Sequence, residues 1–273
     1  MKERHCEKNI IDMAESPAYK TLFQLSWPVI LSLFIQGLYG IVDSVYLSRL
    51  GEEVLSAASL ASVIINLETA FLTGIATGMN AVISRALGAG EGARAHKTVL
   101  SGIFIQGILV LCFICCGVWG VPTYFMYSTS DATVITHGTA YLRPLLVLSV
   151  AAAAQITFER LLQAAGSVRY MLYSQLIGTV INIVLDYALI FGKWGFPAMG
   201  VAGAAYATVI GQIAATCVAL YFNIKKNGVL FGTENNRLGY HRSSLSNWNS
   251  GCNNGNYGSV RKLLYQLVTD QFR

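Results

Sequence analysis

Six stretches of the chain are long and apolar and do not alternate between polar and apolar positions: approximately 22–48, 54–83, 98–121, 141–162, 170–192 and 196–224. A helix needs about 20 residues to cross the hydrocarbon core of a bilayer. A barrel strand needs about 10, and alternates. Length and lack of alternation therefore predict an all-α polytopic membrane protein, a bundle of six transmembrane helices. Each helix satisfies its own backbone polar groups where no water reaches. The third stretch is the cleanest, since Val99 to Val121 holds no charged residue. The pattern ends near Asn227. From Gly232 to Gly258 the chain is polar and rich in Asn, Ser and Gly, a composition that does not offset the entropy of ordering. A short helix is expected over 261–273. The chain thus divides into an N-terminal tail (1–20), a six-helix lobe (21–226) and a polar, flexible C-terminal tail (227–273).

Composition narrows the class. Of 273 residues, 54% are hydrophobic and 12% charged, where soluble domains carry about 25% charged. Mean hydropathy is +0.51. A soluble globular domain and a disordered chain are excluded. So is a nucleic-acid-binding domain, because the net charge of +5 sits in short connectors rather than in the clustered patch such binding needs. The connector charges also orient the lobe. Lys2, Arg4, Lys8, Lys20, Arg85, Arg94, Lys97, Arg160, Arg169, Lys225 and Lys226 fall on one side, against Arg49, Arg143 and Lys193 on the other. Lysine and arginine favour the cytoplasmic side, so both termini are expected there, with the lobe in the plasma (inner) membrane. The polar, mixed-charge start of the chain has no cleavable-signal pattern, so the first apolar segment is expected to be retained as a span.

Cys112, Cys115 and Cys116 lie within an apolar run; Cys6, Cys217 and Cys252 are scattered. Zinc sites need paired thiolate spacing in a polar setting. Buried free cysteine also serves as a small apolar filler, so neither a metal centre nor a cofactor is expected. No Ser/His/Asp set or HExxH is present, Cys112 and Cys115 stand at CxxC spacing only inside an apolar run, and His5, His96, His137 and His241 fall in connectors, tails or span ends. An enzyme is disfavoured.

Four carboxylates fall within or at the edge of spans: Asp43, Glu68, Glu159 and Asp186. An ionisable group in a membrane costs at least a few kcal/mol near the centre, and persists where it meets a cavity, a partner or an ion. Glu68 and Glu159 read equally as interfacial residues that reach water. Asp43 is near the end of its span but within the apolar stretch LYGIVDSVYL. Asp186 follows Asn182 by four residues in INIVLDYALIFG, which stacks the two on one helix face. Two oxygen-bearing groups so stacked make half a cation site, since sodium and protons both take oxygen partners. The alternative is an interhelical hydrogen bond that serves only packing.

Other residues give weaker signals. Gly74 and Gly78, at GxxxG spacing, and the stretch Gly200–Thr208 are expected to permit close helix approach. Gly88, Gly90 and Gly92 resemble a nucleotide loop, but no strand precedes them, so they are expected to end the second span in a turn. Pro28 removes a backbone donor and can bend the first helix. Tyr39, Tyr46 and Tyr141 line a cavity or sit at interfaces.

The stretches WPVILSLFIQGLYGIVDSVYLSRLG, NAVISRALGAGEGARAHK and FERLLQAAGSVRYMLYSQLIGTVINIVLDYALIFG resemble the multidrug and toxic compound extrusion (MATE) family, in the family's order, over about residues 17–226. The resemblance implies half of a twelve-helix transporter whose two six-helix lobes bind substrate between them and rock to alternate access. Its cargo would be organic cations and other drugs, exported against inward sodium or protons. Asp43 matches the first-helix aspartate, Asn182 and Asp186 the fifth-helix pair, and Thr208 the sixth-helix threonine of the family's cation site. Pro28 matches the proline at which the first helix bends. Glu159 stands where some relatives have a fourth-helix asparagine. Tyr39 joins Pro28 and Glu159 as a cavity or hinge residue.

The resemblance stops at the polar tail, where a second lobe is expected. A truncated or frame-disrupted half-transporter is the leading expectation, with a second lobe or another copy of the chain as partner. A flippase for lipid-linked precursors is one rival, although the intramembrane charges are acidic and favour cationic cargo. An inactive membrane fragment is the other.

Overall fold

The computed structural model describes residues 18–227. Residues 1–17 and 228–273, with the helix expected over 261–273 and His5, Cys6, His241 and Cys252, lie outside the described residues; 18–20, assigned to the N-terminal tail from sequence, begin α1. The elements are α1 (Ala18–Ser48), α2 (Glu52–Gly88), α3 (Gly92–Cys115), a π turn (Cys116–Gly120), α4 (Val121–Ser128), α5 (Ala132–Val147), α6 (Ser149–Ala164), α7 (Val168–Phe191) and α8 (Val201–Lys226). Among the described residues there is no strand. Five helices are long and apolar enough to cross a membrane, or six when the bent pair α5–α6 counts as one span.

Two spans depart from the sequence expectation. The third continues as one helical run over Gly92–Ser128, with the π turn inside it. The fourth, expected over 141–162, is longer and bent. It starts at Ala132 and bends by 50° between α5 and α6. Asp131 caps its start, its carboxylate accepting from the Thr133 and Val134 amides at 2.8 and 3.3 Å. This is the usual N-cap role of a short acidic side chain. Pro144 inside α5 removes one amide from the helical ladder, a recognised cause of kinks. At the bend the Leu148 amide bonds the Pro144 carbonyl at 3.0 Å, and the Ala151 amide bonds Leu148 at 2.9 Å.

The interior is built from neighbouring helices: α2 packs on α3, α5 and α6, while α8 packs on α5, α6 and α7. The main cluster joins Leu47, Leu142, Leu145, Leu146, Phe125, Ile190 and Val209. Phe125 is fully buried, its ring seated over Gly138. Phe125→Ala is expected to cost about 3–5 kcal/mol, read as a lowered midpoint of thermal unfolding in detergent. The outer faces are apolar. Phe23, Trp27, Leu33, Phe34, Phe104, Leu111 and Trp119 are all exposed, as lipid-facing positions are. Cys112, Cys115, Cys116 and Cys217 are free and exposed, so they occupy surface positions rather than core ones.

The glycines divide differently from expectation. Gly74 and Gly78 have open space where a side chain would project, so this GxxxG pair makes no close helix contact among the described residues. The contact occurs between α7 and α8 instead. A Cβ on Gly178 would stand 2.8 Å from Ala215 Cβ and 2.9 Å from the Gly211 carbonyl oxygen. One on Gly211 would stand 2.9 Å from Asn182 Cβ. The Gly200–Thr208 stretch does pack as expected, with Ala204, Ala205 and Ala207 fully buried. Gly88 ends α2 and Gly92 begins α3. Between them Gly90 takes a φ of +74°, a left-handed turn that glycine adopts without strain.

Candidate functional site

Four helices bring polar side chains to one place inside the bundle. The buried stripe of α7 includes Ser174, Gly178, Asn182 and Asp186, which are four residues apart and therefore share one helix face. On α8 the stripe Ala207, Gly211, Ala215 and Ala219 is small throughout. Backbone contact at Gly178 and Gly211 follows. It sets Asn182 beside Thr208, whose Oγ1 accepts from Asn182 Nδ2 at 3.3 Å. The hydroxyls of Thr208 and Tyr39 are 3.1 Å apart, which joins α1 to α8. Tyr141 Oη of α5 donates to Asp43 Oδ2 of α1 at 3.2 Å.

The carboxylates are deep. Asp186 is 0% exposed and Asp43 9%. They are close enough that the charge of Asp43 acts on Asp186, and both act on Tyr39. Asp43 Oδ1, both Asp186 oxygens and Asn182 Oδ1 are buried without a hydrogen-bond partner. Buried polar atoms are nearly always satisfied, so four such oxygens without a protein partner in one cluster call for water, a proton or a bound ion to satisfy them. No lysine or arginine supplies it, because the ion pair found among the described residues is Arg94–Glu91, exposed on the surface.

Asp43, Tyr39, Asn182, Asp186 and Thr208 are thus linked as one cluster. Pro28 is not part of it. It lies four turns from Asp43, buried within a helix that the structure continues through it. Glu159 belongs to a different polar group, with Gln155, Ser174 and Gln175. Glu68 is 4% exposed with Oε1 unpartnered, so the interfacial position open to it from sequence is corrected: it lies inside the bundle. Tyr46 packs edge-on against Phe191, with ring centroids 6.0 Å apart, at the α1–α7 interface. Gly178 and Gly211 escaped the sequence reading, although each stands three or four residues from a site residue. Tyr141 was not separated there from an interfacial tyrosine.

Fold and site together define a multi-pass helical membrane protein with an acidic oxygen cluster buried inside its bundle. The chain belongs to the MatE family, whose sequence model matches residues 28–188. It is 25% identical over 220 residues to a probable multidrug resistance protein NorM of Thermotoga maritima, covering 80% of this chain and 47% of that protein. It is 28% identical over 202 residues to the uncharacterized transporter YisQ of Bacillus subtilis, covering 73% and 44%. A transporter of the MOP superfamily from Pyrococcus furiosus superposes with a TM-score of 0.73 at 22% identity, over 80% of this chain and 47% of its own. The chain spans about half the length of the curated relatives it matches.

Proposed function

We propose that this chain is the ion-binding lobe of a MATE-type antiporter that exports organic cations in exchange for sodium or protons. The observation that carries the proposal is the set of unpartnered oxygens of Asp43, Asn182 and Asp186 in one buried cluster. Two neighbouring carboxylates in a low-dielectric setting need a bound cation or a shared proton to offset their charge. Asp43 and Asp186 supply the charge, and Asn182 and Thr208 complete the oxygen cage. Tyr141 and Tyr39 orient Asp43 and Thr208 by hydrogen bonds.

Asp43 is on α1 and Asp186 on α7, so occupancy of the site changes the attraction between these helices. A ligand shifts a conformational equilibrium only through unequal affinity for the two states. The arrangement with α1 close to α7 is the one a cation favours, and Pro28 is the hinge at which α1 would move. The substrate passage forms against a second six-helix lobe or another copy of this chain, in the plasma membrane with both ends of the lobe cytoplasmic. The acidic interior selects for cationic cargo.

The test is ethidium movement in proteoliposomes containing the full chain, with sodium and pH gradients imposed separately. Gradient-driven ethidium movement that disappears with Asp43→Asn is the expected outcome. Ethidium fluxes indifferent to both gradients would overturn the antiporter reading.

A further inference from the structure

Away from the Asp43–Asp186 cluster, a second carboxylate inside the bundle is held by neutral side chains. Glu159 is on α6. Gln155, one turn earlier, donates through Nε2 to Glu159 Oε1 at 3.1 Å. Ser174 Oγ of α7 stands 3.2 Å from the same oxygen and 2.7 Å from the Ala215 carbonyl of α8. Gln175 completes the group, and its amide can be seated in two ways. In one, its Oε1 accepts from Gln155 Nε2 at 3.3 Å. In the other, which satisfies more of the network, its nitrogen donates to Glu159 Oε2 at 3.3 Å and Oε1 at 3.2 Å.

The charged surroundings are sparse. Arg160, the next residue, directs Nη1 to Gln163 Oε1 at 2.8 Å rather than to Glu159. The titratable groups on the helices packed against α6 are engaged or placed elsewhere. Tyr170 of α7 stacks on Phe222 at 4.3 Å, and Tyr173 lies edge-on to Tyr170. Arg169 of α7, Cys217 of α8 and Arg85 of α2 are exposed, as are Arg94 and Lys97 of α3, with His96 in the first turns of α3. Glu68 of α2 and Asp186 of α7 are buried, and neither is a hydrogen-bond partner of Glu159. Ser174 is two helical turns from Asn182, about 12 Å along the axis, so this group is separate from the first cluster.

We propose that Glu159 is a second proton-carrying site of this lobe, which takes a proton from water and returns it independently of Asp43 and Asp186. Hydrogens, not carbonyl oxygens, meet its carboxylate. That environment suits exchange with a proton, which needs no oxygen cage and no room, over a metal ion. The neighbours suit both states of the group. With Glu159 ionised, Gln155, Ser174 and Gln175 all donate to it. With Glu159 protonated, the Gln175 amide rotates to accept the new O–H through Oε1, and the single Ser174 hydroxyl proton serves the Ala215 carbonyl.

The site is read by infrared difference spectroscopy of the full chain in lipid nanodiscs during a pH titration, following the C=O stretch of protonated carboxyl groups. A band present in wild type and in Asp43→Asn, and absent from Glu159→Gln, is expected. Superimposable wild-type and Glu159→Gln titrations overturn the proposal. Gln175→Leu keeps the test open if Glu159→Gln does not fold. Loss of a donor to the carboxylate moves the band to higher pH by about one unit, and an unmoved band counts against the site. The readout involves no transport, so its failure is distinct from failure of the antiporter function.

Discussion

Asp186→Asn is expected to weaken cation binding at the proposed site by about two to three orders of magnitude. The change keeps size and shape but removes one of the two charges that site offers an ion. Breaking a buried charge pairing costs about 3–5 kcal/mol, and each 1.4 kcal/mol is about tenfold in affinity. Asp186 is the most exacting position because it is fully buried and neither of its oxygens has a protein partner. Asp43 keeps one bond, from Tyr141, so Asp43→Asn leaves Tyr141 with an acceptor and loses only the charge. The measurement is the rise in thermal unfolding midpoint of the full chain as sodium is added at fixed pH, and as pH is lowered without sodium. Wild type is expected to respond to at least one of the two, and both variants to lose that response apart from the part of the pH response that Glu159 contributes. Variants that match wild type in both titrations would remove the cluster from ion binding.

Gly178→Val is expected to separate α7 from α8. Its added carbon atoms would overlap the buried Ala215 and the Gly211 carbonyl of α8. Overpacking of this kind costs about 1–3 kcal/mol. Stability is the smaller loss. The Asn182–Thr208 bond, already 3.3 Å long, is one turn from the contact and breaks when the helices part, so the sodium or proton response vanishes as well. Gly74→Val is the control. Open space surrounds Gly74, so its variant keeps both the unfolding midpoint, to within about 1 kcal/mol, and the ion response. An ion response retained by Gly178→Val would show that the α7–α8 contact does not position the site.

The members of the candidate cluster were legible in the sequence because membranes make polar residues conspicuous. Asp43, Asn182 and Asp186 stand out in apolar stretches, and the spacing of the last two already places them on one face. Glu159 was visible too, though open to an interfacial reading, and its partners were not. Gln155, Ser174 and Gln175 are ordinary helix residues until α6 and α7 are packed together. The expected role of Gly74 and Gly78 failed for a related reason. Spacing shows that two small residues share a face, but not which neighbour that face meets.

The alternation-free apolar runs by themselves determined an all-helical, multi-pass lobe, since a chain in lipid must satisfy its backbone within each segment. The sequence likewise determined which side chains are too costly to bury without purpose. Only the tertiary structure decided that the fourth span bends at Leu148, that Gly178 and Gly211 are the contact that matters, and that the acidic residues divide into separate groups. These outcomes depend on distances between residues far apart in the chain, such as Tyr39 and Thr208. Local pattern carries no such distances, because helix periodicity fixes a direction around one axis and packing fixes how the axes meet.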